Sequence, residues 1–462
     1  MIPVKATSGH TVQGEKYTLI RMERPVREDL ITQTCLEAYA LVRRDHWLAD
    51  RAIDRTLRQR TLYSNERRIV AERVYALIRR QLLVDFLLER LRPGFAALSS
   101  GSQDLMRLSA ARVLSGESAD LVSAGEHHHP EDGRALRALH KERRKIDSFE
   151  PTRRLSLSAS LPEPLAERWI AEFGAEAEAA AAAMNERAPL TARVNTLKST
   201  RDEVLSQLRA AGVDSRSTPL SPLGIQLETR INAFSLPPFK EGNFELQDEG
   251  SQLLGMLVDA PPKLVVDACA GAGGKTLQLA AQMKNRGELF ALDISEARMR
   301  DLKKRARRAG AFNVRTRIIP TAAEEARGAI SDLAGRADRV LVDVPCSGTG
   351  SLRRNPDARY RITAEDLKMQ TRRQKELLAL FADLVRPGGR LIYGTCSVLR
   401  EENESVIESF LSARPDFALR PASVALGEDL AGKVTREGFL RVAPHTHGTD
   451  GFFGAVLQRA DS

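Results

Sequence analysis

Cys346 and Cys396 lie in Val-Asp-Val-Pro-Cys-Ser-Gly-Thr-Gly (342–350) and Ile-Tyr-Gly-Thr-Cys-Ser (392–397). Each follows a short apolar, β-branched run that ends at a turn: Arg339-Val340-Leu341-Val342 and Arg390-Leu391-Ile392-Tyr393. Such runs read as buried strands of a parallel sheet. Open α/β sheets bind ligands beyond the carboxyl ends of their strands. The pattern therefore delivers two thiols and one carboxylate, Asp343, to one crevice. Thiolates are nucleophiles, so the chemistry expected there is covalent catalysis through sulfur. Taken alone, either cysteine reads as a small inert hydrophobe.

A third loop of the same kind, Asp267-Ala-Cys-Ala-Gly-Ala-Gly-Gly-Lys-Thr276, follows Leu264-Val265-Val266. A phosphate-binding P-loop needs Gly, four residues, then Gly-Lys-Ser/Thr. Gly274-Lys275-Thr276 fits the end, but Cys269 stands at the first glycine. A dinucleotide fingerprint needs Gly-x-Gly-x-x-Gly. Gly271 and Gly273 fit, but Thr276 stands at the last position. What remains is Gly271-x-Gly273 behind a strand, with Asp293 closing the next strand. The glycines let backbone approach a ligand, and a carboxylate after the second strand grips a ribose diol. This is the layout of an S-adenosylmethionine (SAM) site, favoured over NAD or ATP. The candidate cofactor contacts are Cys269, Ala270, Gly271, Ala272, Gly273, Gly274, Lys275, Asp293 and Asp343. The bland alternative is a tight turn that serves helix–strand packing.

Around these loops the chain must build a sheet. Strands are expected at 264–267, 288–293, 314–319, 339–343 and 390–394, and helices at 275–285, 295–309, 362–386 and 401–411. That alternation predicts a doubly wound α/β domain over 240–462. The tail, 438–442 and 451–457, reads as an antiparallel hairpin at the sheet edge. Residues 28–150 show helical periodicity with basic faces such as Arg67-Arg68, Arg79-Arg80 and His140–Lys145. Residues 151–239 read as a helical linker and a small α/β segment, and 1–27 as a flexible tail. Net charge is +9, which favours a nucleic-acid partner. Aromatic residues make up only 5%, which argues against a base-stacking platform. Four cysteines in 462 residues are too few for a disulfide framework, and Cys35 sits in an apolar helical pattern as core. No leader-like start and no membrane-length run is read, so a cytoplasmic location is expected. His127-His128-His129 lies in a loop, and no metal site is expected there.

The motifs together resemble the Sun/Fmu (RsmB/NOL1/NSUN) family of RNA 5-methylcytosine methyltransferases. Further matches are Arg193-Val-Asn195-Thr-Leu-Lys198, Leu246-Gln-Asp-Glu-Gly-Ser251, Arg353-Arg-Asn-Pro-Asp357, Glu401-Glu-Asn-Glu404 and Asp450-Gly-Phe-Phe453. The basic helical region resembles the NusB-like domain of the bacterial 16S rRNA branch. The resemblance implies a Rossmann-like class I SAM-dependent methyltransferase domain preceded by an all-α NusB-like domain. It implies SAM as cofactor and ribosomal RNA as partner; a monomer is expected. It makes Cys396 the nucleophile and Cys346 the group that assists resolution of the adduct. Asp343 would contact the base, and Lys275 would stand between cofactor and substrate. Cys269 would pack under SAM. Asp248 and Asn195 read either as site residues or as turn caps. The family usually places an Asp after the third strand, against adenine. Here Ile318-Ile-Pro-Thr-Ala322 fills that stretch, leaving backbone groups or Thr321 for adenine. A tRNA substrate and a non-catalytic RNA-binding or assembly factor on the same fold stay open.

Overall fold

A computed structural model describes residues 26–125, 129–229 and 231–461. The segment expected as a tail lies almost wholly outside the described residues, as do His127 and His128. Helices at Glu28–Arg43, Ala49–Arg58, Ser64–Arg79, Gln81–Leu91, Ser100–Leu114, Ala119–Gly125 and Pro130–Arg143 share one apolar core. Ile31, Cys35, Val70, Val74, Leu77 and Leu87 are fully buried in it. Their three- and four-residue spacing puts them on inward helix faces. Cys35 is core, as its pattern predicts.

Three further helices, Pro151–Ala159, Glu163–Phe173 and Ala177–Ala183, bury Leu165, Ala166 and Trp169. Their core is completed by Leu352, Leu367, Val398 and Leu399, which follow the two cysteine motifs. Next comes a small antiparallel sheet of β1 (Leu190–Val194), β2 (Ser215–Ser217), β3 (Gly224–Leu227) and β4 (Phe244–Leu246), in the order β2-β3-β1-β4. Because β4 pairs with β1, the small sheet reaches past residue 239.

The large sheet holds β5 (Leu264–Asp267), β6 (Glu288–Asp293), β7 (Val314–Ile318), β8 (Ala337–Asp343), β9 (Val385–Thr395), β10 (Phe417–Arg420), β11 (Thr435–Arg436), β12 (Phe439–Val442) and β13 (Phe452–Arg459). Its order is β11-β12-β13-β9-β8-β5-β6-β7, with β10 paired to β13. β5 to β9 are mutually parallel. Alternate residues of each strand enter opposite cores, the two-residue period of a strand. Val265, Leu341 and Ile392 face one core, and Val266, Val340 and Tyr393 the other. The order reverses between β5 and β8, a topological switch point that opens a crevice.

Two expectations need correction. The helix read over 362–386 ends at Ala382, and β9 already starts at Val385. Arg386-Pro387-Gly388-Gly389 lies inside the strand because the β8–β9 register shifts between Ala337 and Arg339. The terminal hairpin is present, but it is not the edge. β13 inserts between β9 and β12, and β11 closes that side.

Candidate active site

The β8–β9 register pairs Asp343 with Gly394, so the loops after the two strands leave the sheet side by side. Cys346 Sγ and Cys396 Sγ lie 3.3 Å apart. Lys275, in the helix Gly274–Gln282 that follows β5, donates from Nζ to Asp343 Oδ2 at 2.7 Å. Cys269, Lys275, Asp293, Asp343, Cys346 and Cys396 line one cleft of about 430 Å³. The sequence-derived side chains are thereby brought together. Ala270, Gly271, Ala272, Gly273 and Gly274 form the turn between Cys269 and Lys275 and are not themselves among the cleft's lining residues.

The thiol contact is held by tight loop packing. Gly350 donates its N–H to the Cys396 carbonyl at 2.9 Å, and Gly451 donates to the Gly350 carbonyl at 2.8 Å. A Cβ on Gly350 would lie 2.1 Å from the Gly451 oxygen, so only glycine fits. Glu402, fully buried, accepts from the Ser347 N–H at 2.8 Å and from Gln374 Nε2 at 2.9 Å. It also accepts from the Ser347 hydroxyl. These bonds fix the loop that carries Cys346.

Burial and neighbouring groups raise both Cys346 and Cys269. The hydrogen bond with Cys396, then burial, hold Cys346 well above the ordinary thiol range, and the Glu402 carboxylate adds to this. Cys346 is therefore a protonated thiol in contact with Cys396. Burial likewise pushes the Cys269 thiol up. Burial opposes the charge on Lys275, but Asp343 beside it more than offsets this, with Cys396 adding to the attraction, so Lys275 titrates above its ordinary value. Burial lifts Asp267 to about 7 although Thr276 donates to it at 2.7 Å.

The residues of the loop fit a SAM-type cofactor. Ala270 donates to the Leu292 carbonyl at 2.9 Å, and Gly271 donates to Asp293 Oδ2 at 2.9 Å. Gly273 has φ +89°, and a Cβ there would meet Leu302 at 2.7 Å. The turn thus rests against β6 and its following helix. Asp293 takes Ser295 N–H on its other oxygen at 2.8 Å. Each carboxylate oxygen still has accepting capacity for a diol, and Asp293 lines the cleft. Ile294, Ile319, Leu377 and Phe381 give an apolar wall for a flat ring. Ile319 stands in the stretch that lacks the usual Asp, while exposed Thr321 does not line the cleft.

Other residues carry no role in a reading by motif alone. Arg298, Arg373 and Phe452 also line the cleft; nothing in the local sequence marks the two arginines, and Phe452 belongs to the Asp450–Phe453 match, which carried no role. Asp248 is a helix cap, accepting from Gly250 N–H at 2.8 Å. It also takes Arg354 Nη2 at 2.7 Å and, through its other oxygen, the Asp450 N–H at 3.1 Å. Arg353 and Arg354 both pair with Asp450. Asn195 Nδ2 joins the Gly242 and Ala309 carbonyls at 2.8 and 2.7 Å. These motif residues knit the segment after Cys346 to the small sheet and the chain's C-terminal strands. Among the described residues, no cluster of three or more metal-binding side chains occurs, and no helix is long and apolar enough to cross a membrane.

Residues 256–458 match the model of the 16S rRNA methyltransferase RsmB/F domain, and 161–233 match the ferredoxin-like domain model of RsmF/B-like methyltransferases. The chain is 29% identical over 456 residues to a probable ribosomal RNA small subunit methyltransferase B of Bacillus subtilis, covering 94% of this chain and all of the relative. It is 31% identical over 438 residues to a protein of the same description from Synechocystis, covering 90% and 96%. A solved methyltransferase homologue from Pyrococcus horikoshii superposes with a TM-score of 0.57 at 28% identity, covering 67% of this chain and all of that one.

Proposed function

The chain belongs to the RsmB/F family of 16S rRNA methyltransferases, and from that premise we propose that it forms 5-methylcytosine through a covalent bond between Cys396 and carbon 6 of the target base. The protein is a SAM-dependent rRNA methyltransferase; the atom methylated and the covalent route are inferred from the site. When bound by the 269–275 loop, Asp293 and Asp343, SAM supplies an electrophilic methyl group.

Carbon 5 of cytosine is a weak nucleophile. The Cys396 thiolate adds to carbon 6, the carbon 5–carbon 6 π pair moves toward carbon 4 and the carbon 4–N3 pair onto N3, which takes a proton from solvent and returns it when the adduct resolves. Carbon 5 is then enamine-like and attacks the methyl group. Asp343, held by the Lys275 ammonium at 2.7 Å, accepts the N3–H and holds that proton in place. A base removes the remaining carbon 5 hydrogen as a proton, and the carbon 6–sulfur bond breaks with its pair returning to Cys396. Cys346 keeps its proton beside Cys396 and assists this release. The observation that carries the reading is the 3.3 Å contact of the two thiols in the cleft that also holds the Lys275–Asp343 pair. It supports two thiols acting on one base, with Cys396 taken as the attacking sulfur from its Thr-Cys motif.

We assign catalysis to 240–462, RNA affinity to the basic helical part 28–150, and the joining role to 151–239. The protein works as a monomer in the cytoplasm. Nucleoside mass spectrometry of 16S rRNA treated with the enzyme and SAM tests the reading. It should show 5-methylcytidine with the wild type and none with Cys396→Ala. A methyl group on ribose or on another base atom would refute it.

A further inference from the structure

A groove of about 570 Å³ opens where the helix Ser64–Arg79 meets the segment after Cys346. Its lining holds five arginines, Arg68, Arg79, Arg187, Arg353 and Arg354, against one carboxylate, Glu72. Arg353 and Arg354 are matched by Asp248 and Asp450, and Arg187 meets Glu72 at 3.2 Å. Among the described residues, Arg68 and Arg79 meet no carboxylate. Arg79 Nη2 donates to the Arg353 carbonyl at 2.9 Å, while its buried Nε has no hydrogen-bond partner. Burial and the charge of Arg359 hold Arg79 down to about 10, a site that a nearby anion would stabilise. Its guanidinium lies 5.5 Å from the Tyr75 ring centre. The seam is fixed: Tyr360 donates from its hydroxyl to the Ile78 carbonyl at 2.6 Å.

Forked, always-charged donors without matching carboxylates suit phosphate oxygens. The groove has room for a stretch of sugar-phosphate backbone. It is separate from the cleft and shares none of its lining residues. We infer that this groove holds phosphodiester groups of the substrate RNA outside the target nucleotide, gripping the RNA at the seam between the helical and catalytic parts. The inference rests on the reading of this protein as an enzyme acting on RNA and adds a subsite to it.

The test uses the full-length protein and a protein-free 16S rRNA fragment, with affinity measured across salt concentration. Arg68→Gln/Arg187→Gln should weaken binding about tenfold at low salt and lower the slope of log affinity against log salt by about 1–2, since each phosphate contact contributes roughly one counterion. SAM affinity should not change. Glu72→Gln should act in the opposite direction and tighten RNA binding, which a merely structural role of the seam would not produce. Unchanged affinity and slope in the double variant would overturn the inference. So would weakening in both variants, or an effect seen only with protein-containing subunits, which would make the groove a protein contact. If the double variant loses RNA affinity but the wild type makes no 5-methylcytidine, the groove stands and the catalytic reading falls. The reverse result separates them the other way.

Discussion

The thiol cleft and the arginine groove are built on opposite principles. In the cleft, the charged groups beside the thiols are held: Lys275 meets Asp343, and behind the lining Glu402 accepts from Ser347 and Gln374. Its thiols, Lys275, Asp293 and Asp343 come from the ends of β5, β6, β8 and β9 or the segments that follow them. In the groove, Arg68 and Arg79 keep their charge unmatched by carboxylates among the described residues, and the walls come from 68–79, 187–188 and 353–354. Chemistry on one base needs fixed, satisfied neighbours that do not reorganise during the reaction. Recognition of a polyanion needs charge left over for the partner.

The contrast can be broken from either side. The largest effect is expected at the nucleophile, where Cys396→Ala should lower methyl transfer by at least about 10⁴-fold, as loss of a nucleophile does elsewhere. Radiolabelled methyl incorporation measures it, and residual activity within tenfold of wild type would exclude Cys396 from the chemistry. Lys275→Met leaves a partly buried Asp343 without its cation. It should cost about 2 kcal/mol, below the range for a fully buried pair. The urea midpoint should fall at constant m-value, whereas an unmoved midpoint would mean that the pair gives no net stability. Asp293→Ala should weaken SAM binding by about 1–3 kcal/mol, the cost of removing a buried hydrogen-bonding group. Calorimetry showing unchanged affinity would remove Asp293 from the cofactor site.

The smallest effect concerns Asp267. Its folded value, about 7, lies above the ordinary carboxylate value. The protonated form is therefore favoured on folding, and this contribution is fully present below about pH 4 and lost as pH rises through 7. Asp267→Asn lacks that loss. Without SAM, its stability relative to wild type should rise by about 1 kcal/mol between pH 6 and 8. Parallel stability curves would show that Asp267 is ionised at lower pH than its burial implies.

The same contrast explains what could be read from sequence. The five parallel strands were legible because buried strands are continuous apolar runs. The cleft was legible because each chemical residue follows such a run within a few positions. Glu402 was visible only as part of a motif without a role, since nothing local says that its carboxylate reaches Ser347. The strand at Val385 was hidden by Pro387-Gly388-Gly389, which punctuate turns in most contexts but here sit at a register shift. β10 and β11 are short, and the pairing of β10 depends on where β13 lands. The groove was beyond reach because Arg68, Arg187 and Arg353 meet only after the helical part docks. Arg353-Arg354 was noted as a motif, but its partners Asp248 and Asp450 are distant in sequence.

The central claim is that two thiols in contact divide the work, Cys396 bonding to the base and Cys346 freeing it. A denaturing gel of the two single alanine variants, each incubated with SAM and 16S rRNA, tests this directly. Cys346→Ala should accumulate a denaturant-resistant, RNase-sensitive protein–RNA band, because attack and methyl transfer proceed while release is slowed. Cys396→Ala should give no such band. A band in Cys396→Ala but not in Cys346→Ala would reverse the roles, and two fully active variants without any band would contradict the thiol mechanism itself.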